Sequence, residues 1–265
     1  MKNSKIIFTT LFAFGVYFGL DDLYFGTVRN GIDQVVNQRG TSHNLAYLLS
    51  GIPLYLGLLI MHRPQDFFKV LGLSGPLGRA VRFAFLCTLP MVLGYAILFS
   101  PSREVTLNGL LISGLAAAFF EEVFYRGFLF GQLYRYTRLG FIPAVALGAL
   151  LFAAIHLYQS QDLWISLGVF ATTFLGAVVF AWTYAEWDHN IWVPVMLHLF
   201  MNLAWMLFAV SDNALGGVYA NVFRIVTIGA IIGLTLFYKR RRNIPLEVTR
   251  HTLWLKPGQP VGYTP

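Results

Sequence analysis

Charge is scarce in this chain, and cysteine is almost absent. Only 12% of its 265 residues are Asp, Glu, Lys or Arg, where soluble globular domains carry roughly 25%. With 57% hydrophobic residues and a mean hydropathy of +0.62, the chain has too little polar surface to face water all round. That excludes a soluble globular domain and makes lipid the solvent over most of the surface. The single cysteine, Cys87, lies in an apolar run, which excludes an intramolecular disulfide and leaves a small packing residue. No Cys–His zinc spacing occurs, and there is no low-complexity segment, no clear repeat and nothing that suggests a second folded unit. The net charge of +7 is dispersed over helix ends, a pattern of membrane orientation and anionic lipid that leaves no role for nucleic acid.

What is present is a series of apolar runs, each about long enough to cross roughly 30 Å of hydrocarbon. Eight are read: 6–20 (extending toward Phe25), 45–61, 82–99, 107–130, 141–158, 163–184, 191–210 and 218–238. The first follows Lys2 and Lys5 as a signal peptide would, but Asp21-Asp22-Leu23-Tyr24 follows it and no small-x-small site does, so an uncleaved anchor is expected. With eight spans and both termini cytoplasmic, fifteen of the 19 Lys and Arg residues fall inside, three (Arg29, Arg39, Arg103) fall outside, and Arg224 lies within the last span. The expected fold is an all-α, polytopic membrane helix bundle. It comprises a single transmembrane domain over 1–238, whose motif core is 107–210, and a basic cytoplasmic tail over 239–265. Rows of small residues four apart (Gly168, Thr172, Gly176; Gly229, Gly233) suggest close helix packing.

The chemistry is concentrated in Phe119-Phe120-Glu121-Glu122-Val123-Phe124-Tyr125-Arg126. Two carboxylates in an apolar helix are costly, at about 2.5–3.5 kcal/mol per charge on insertion scales. Glu122 and Arg126 stand four apart on one helical face and can form an ion pair. Glu121 points about 100° away and is free for a pocket. There, beside another carboxylate and away from water, a carboxyl group holds its proton more tightly, as a general base working near neutrality must. Two further sets lie on later helices: Phe152 with His156, and His198 with Asn202, each pair four apart. Singly, each is most simply a packing or bridging residue. Together they are nearly all the polar groups of the central spans, and intramembrane polar groups face the bundle interior and mark function. His43, His62, His189 and His251, together with Glu186, Asp188 and Asp212, are read as loop or interface residues. Trp164, Trp182, Trp187 and Trp192 are read as an interfacial belt.

Glu-Glu-x-x-x-Arg, Phe-x-x-x-His and His-x-x-x-Asn, in that order on successive apolar helices, resemble the CAAX protease and bacteriocin-processing family, which includes the type II CAAX prenyl endopeptidases. The resemblance covers the fourth to seventh helices, while the first hundred residues and the tail match nothing specific. It implies an intramembrane endopeptidase in which Glu121 and His156 activate a water, His198 and Asn202 stabilise the oxyanion, and Glu122 with Arg126 orders the site. Phe152 would pack beside His156. By the same resemblance the partner is a peptide or protein substrate at the bilayer, a prenylated chain end in eukaryotic relatives and leader peptides or membrane anchors in others. Catalysis is expected to need no cofactor. The alternative is zinc on Glu121, His156 and His198, although no His-Glu-x-x-His helix is present. Two other readings compete: a catalytically silent scaffold, immunity or regulatory protein of the same family, and a proton- or ion-coupled transporter. One geometric tension stands: His156 lies about 22 Å along its helix from Phe141, toward the outer side, while Glu121 sits nearer the inner half.

Overall fold

The computed structural model describes residues 3–256, all helix and connecting loops with no named strand; Lys2 and the tail prolines Pro257, Pro260 and Pro265 lie outside the described residues. Eight helices of membrane scale run antiparallel in sequence. They are α1 (Asn3–Val36), α2 (Arg39–Met61), α3 (Leu77–Leu98), α4 (Leu107–Tyr136), α5 (Phe141–Ala154), α6 (Leu163–Glu186), α7 (Trp192–Leu207) and α8 (Val218–Arg242). Seven of the eight runs are long and apolar enough to span by length, and α7 is a shorter apolar helix. The protein is therefore a multi-pass membrane protein, and its even helix count leaves Asn3 and Arg242 at one end of the bundle, here called the near end.

Several boundaries differ from the sequence expectation for local reasons. α1 does not stop near Leu20 but continues through Asp21 and Asp22 to Val36. Its 34 residues correspond to about 51 Å of helix, so it must tilt or protrude from the hydrocarbon. The connection expected between the spans 6–20 and 45–61 shrinks to Asn37 and Gln38. Asn37 takes the left-handed conformation (φ 51°) that Asn tolerates, and the Gln38 side chain caps α2. α2 breaks at Gly51, because Pro53 just beyond cannot donate to the preceding turn. α5 ends at Ala154, so His156 sits in the turn beyond it.

α4 is the central helix, packed against α1, α2, α5, α6 and α7, while α3 lies against α7 and α8. Between Leu110 and Phe130 it is wound with π-type hydrogen bonding; Gly131 N–H reaches back five residues to Arg126 O. Such wide turns concentrate at functional sites, because they re-aim side chains that an α-helix would stack. From Glu122 to Phe130 every residue of α4 is buried. Aromatic edges seat it: Tyr17 on Phe124 with centroids 5.0 Å apart, Phe14 on Tyr125 at 5.2 Å. Apolar residues on the outside (Phe8, Phe12, Leu86, Leu93) are exposed, as a lipid-facing surface requires. Of the small-residue rows, Gly176, Gly229 and Gly233 have open space where a Cβ would point, so they do not mark close helix contacts within the chain.

The near end is closed. Gly72 (φ 80°) is obligatory there, since a Cβ would lie 2.0 Å from His189 O. The segment after Arg242 is not a free basic tail as far as it is described. Glu186 is buried, accepts from Glu247 N (3.1 Å) and Val248 N (2.9 Å), and pairs with Lys239 Nζ. Gly140, Phe141 and Ile142 at the start of α5 donate their N–H groups to Trp254 O, Thr252 O and Leu253 O at 2.8–2.9 Å, so the tail caps that helix. Glu186 is thus an internal anchor rather than a loop charge. Trp187 is likewise no belt residue: it is buried, stacked on Tyr238 and donating to Thr235.

Candidate active site

The opposite, far end of the bundle encloses a cavity of about 900 Å³ that descends between the helices to Arg126 and Phe180. Glu121, His156, His198 and Asn202 all line it, from α4, the turn after α5, and α7. Glu121 lies midway along α4 and His156 at the far end. Despite this difference in depth, both line the one cavity.

Glu122 is not on the cavity wall. It is fully buried, with Oε1 taking Arg126 Nη1 at 3.2 Å and His198 Nδ1 at 2.8 Å. Arg126 is the i+4 partner anticipated from spacing, but His198 is a partner that only tertiary packing supplies. Arg126, counted from the sequence among the fifteen inner charges, is instead buried in mid-bundle. Its guanidinium lies over the Phe152 ring at 4.5 Å and near Phe180 at 5.7 Å. Phe152 in turn packs 4.6 Å from the His156 ring, which explains an aromatic residue four before that histidine.

The hydrogen bonds fix which nitrogen each ring offers to the cavity. His156 Nδ1 is 2.6 Å from Phe152 O; a carbonyl only accepts, so Nδ1 carries the proton and Nε2 is the free lone pair of the neutral ring. His198 Nδ1 is committed to Glu122, leaving its Nε2 unengaged. Asn202 gives one Nδ2–H to Ser113 O at 2.8 Å and retains a second. Glu121 makes no hydrogen bond or ion pair among the described residues. The cavity wall therefore carries a free carboxylate, a free imidazole lone pair and an amide donor.

The set considered for zinc, Glu121, His156 and His198, lines this cavity. Among the described residues no three His, Cys, Asp or Glu side chains converge as ligands. Cys87 is buried in another helix contact, against α7 and α8. Sequence reasoning missed four residues of the wall: His43, Tyr47, Asp212 and Arg224. His43 sits between Phe25 and Tyr47, at 4.9 and 5.1 Å, and its Nδ1 is buried without a partner. A boundary of α2 at Arg39 rather than residue 45 would have brought His43 into the span.

The fold and the site define a multi-pass helical membrane protein with a largely apolar cavity into which α4, the turn after α5 and α7 bring polar side chains. Residues 103–204 match the family model Rce1-like, described as type II CAAX prenyl endopeptidase Rce1-like. That family is one of proteases, and the matched segment takes in every residue of the three motifs. No curated protein and no solved structure matches the chain.

Proposed function

We propose that the protein is an intramembrane endopeptidase that hydrolyses a peptide bond in the far-end cavity. One observation carries the reading: of two adjacent glutamates, Glu122 is consumed by Arg126 and His198, while Glu121 is left unpaired on the wall that holds His156, His198 and Asn202.

In this mechanism Glu121 takes a proton from a water whose other hydrogen is accepted by His156 Nε2. The water oxygen bonds to the scissile carbonyl carbon, and the carbonyl oxygen becomes an oxyanion. The remaining Asn202 Nδ2–H donates to that oxyanion, as does His198 Nε2–H when the ring carries both protons and Glu122 balances its charge. The tetrahedral intermediate then collapses, the C–N bond breaks, and Glu121 returns its proton to the leaving amine. Glu122 and Arg126 hold His198 in place, with Phe152 stacked under the guanidinium. None of these steps calls on a metal, so strong chelators should leave hydrolysis intact. The substrate is a peptide or protein segment at the bilayer, with its lipidation open. The positive-inside bias places both termini in the cytoplasm; the cavity, at the far end, then opens on the non-cytoplasmic side.

Single-turnover cleavage of one peptide by two variants tests the assignment. Glu121→Gln keeps shape and removes the basic oxygen, so turnover should be abolished. Asn202→Ala removes one oxyanion donor, and about 10²–10³-fold should be lost. If Glu121→Gln, folded intact, cleaves faster than Asn202→Ala, Glu121 is not the base and the reading fails.

A further inference from the structure

Arg224 lies outside the three motifs and outside residues 103–204, yet it lines the same cavity as Glu121. It enters from α8, six residues beyond Val218, within the apolar part of that helix. The guanidinium lies over the Trp205 ring at 5.0 Å. Nη1 donates to Leu215 O (3.2 Å) and Asn221 Oδ1 (2.6 Å), and Nη2 to Ala214 O (2.7 Å). Three of an arginine's five N–H donors are thereby used. Nε–H and one Nη2–H, which share one edge of the fork, have no partner among the described residues.

Nor does a carboxylate neutralise it. Arg126 has Glu122 and Lys239 has Glu186, but no acid lies within ion-pair distance of Arg224 among the described residues. Asp212 lines the same cavity without pairing with it. An unpaired cation inside a membrane bundle is expensive, and its usual justification is a ligand of opposite charge. Holding the α7–α8 loop carbonyls needs donors but not a net charge, so the clamp alone does not account for arginine.

We propose that Arg224 is a specificity-determining residue that binds a carboxylate of the peptide lying in the cavity through its free Nε–H and Nη2–H edge. The carboxylate is either the peptide's own C-terminus or an Asp or Glu side chain. Both present the planar pair of oxygens that a guanidinium fork matches. The inference rests on the peptidase reading of the same cavity.

The test measures binding without turnover. Two synthetic peptide libraries of the same random composition, one ending in free carboxylates and one in amides, are applied to the full-length Glu121→Gln protein in phosphatidylcholine nanodiscs. Retained peptides are then identified by mass spectrometry. About 10–100-fold stronger retention is expected for free acids over amides, or for Asp and Glu over Asn and Gln at one position. The first outcome assigns the chain end and the second the side chain. Adding Arg224→Gln should abolish the preference, while Arg224→Lys, which keeps charge but not the fork, should retain only part of it. Equal retention of all forms by the protein with Arg224 intact overturns the proposal without reference to any variant's folding. So does an anionic lipid that co-purifies, leaves with Arg224→Gln and accompanies no peptide preference; the cation would then serve a phosphate headgroup. Failure of the wild-type protein to cleave any peptide counts against the peptidase reading alone.

Discussion

Glu186 and Glu121 are both glutamates on apolar helices, and the bundle treats them in opposite ways. At the near end, Glu186 accepts from two backbone N–H groups and one ammonium, so its charge is matched on both oxygens. At the far end, Glu121 faces a cavity with no protein partner among the described residues, beside a histidine that offers a bare nitrogen. A carboxylate whose lone pairs are all occupied holds structure together and has nothing left for a substrate. One that is left open costs stability, and a membrane protein that keeps it has put the open valence to use. Glu122 is intermediate: Oε1 is shared by Arg126 and His198, while Oε2 is buried without a partner.

The contrast breaks most sharply through paired substitutions. Glu121→Gln should abolish turnover and leave the melting temperature in detergent nearly unchanged, because no protein contact is lost. Glu186→Ala should do the reverse. It strands Lys239 in a buried site at a cost of about 3–5 kcal/mol, releases the tail from α5, and leaves catalysis intact below the lowered melting point. Equal stability losses for the two would mean that the ends do not differ in the way argued here.

Arg126→Ala tests the intermediate case. It removes the partner of Glu122 and the cation above Phe152, so stability should drop by about 3–5 kcal/mol and activity should fall with it, because Glu122, which anchors His198, loses the charge that holds it. Unchanged melting with lost activity would move Arg126 from ordering the site to touching the substrate. Its two Nη groups, buried and without hydrogen-bond partners, make that outcome a real competitor. Reporter fusions sharpen the geometry: one after Tyr238 and one in the Asn37–Gln38 turn should report opposite sides of the membrane, the first cytoplasmic. Both on one side would remove the eight-span topology.

The smallest expected effect is a pH dependence of the near end. His189, in the turn between α6 and α7, is pushed well below the ordinary histidine range by burial first, then by Arg135, Lys256 and Lys239. The folded protein therefore keeps it neutral while the unfolded chain takes up a proton near pH 6.5. Stability from this group is complete above that pH and is lost as pH falls below it, by at most about 1.4 kcal/mol per pH unit. Melting curves between pH 7 and 5 should fall more steeply for the wild type than for His189→Gln, and parallel curves would show that the imidazole is not held neutral.

Much was legible in advance because membrane insertion writes its requirements locally. Length and hydropathy alone gave the eight helices, since each must satisfy its own backbone in lipid. The i,i+4 rule gave the Glu122–Arg126 pair and set Glu121 apart from it, because helical periodicity fixes relative direction whatever the surroundings. The motif order brought His156, His198 and Asn202 into one hypothesis. Helix ends were less legible: α1 runs through Asp21 and Asp22, and α2 begins six residues early, so His43 went unseen as a cavity residue. Hydropathy reports which residues tolerate lipid, and it cannot say where a helix stops once neighbouring helices shelter a polar side chain.

What only the tertiary structure decided is which polar groups meet. Glu122 to His198 spans 76 residues, Glu186 to Val248 spans 62, and the tail's carbonyls cap a helix begun more than a hundred residues earlier. Arg224 read as a lone charge in the last span, and its place in the cavity follows from how α8 packs on α3. Sequence fixes the direction of a side chain around its own helix, because that depends on local geometry. The partner it finds depends on the rotation and tilt of a second helix, which packing across the whole bundle sets and no short stretch of residues encodes.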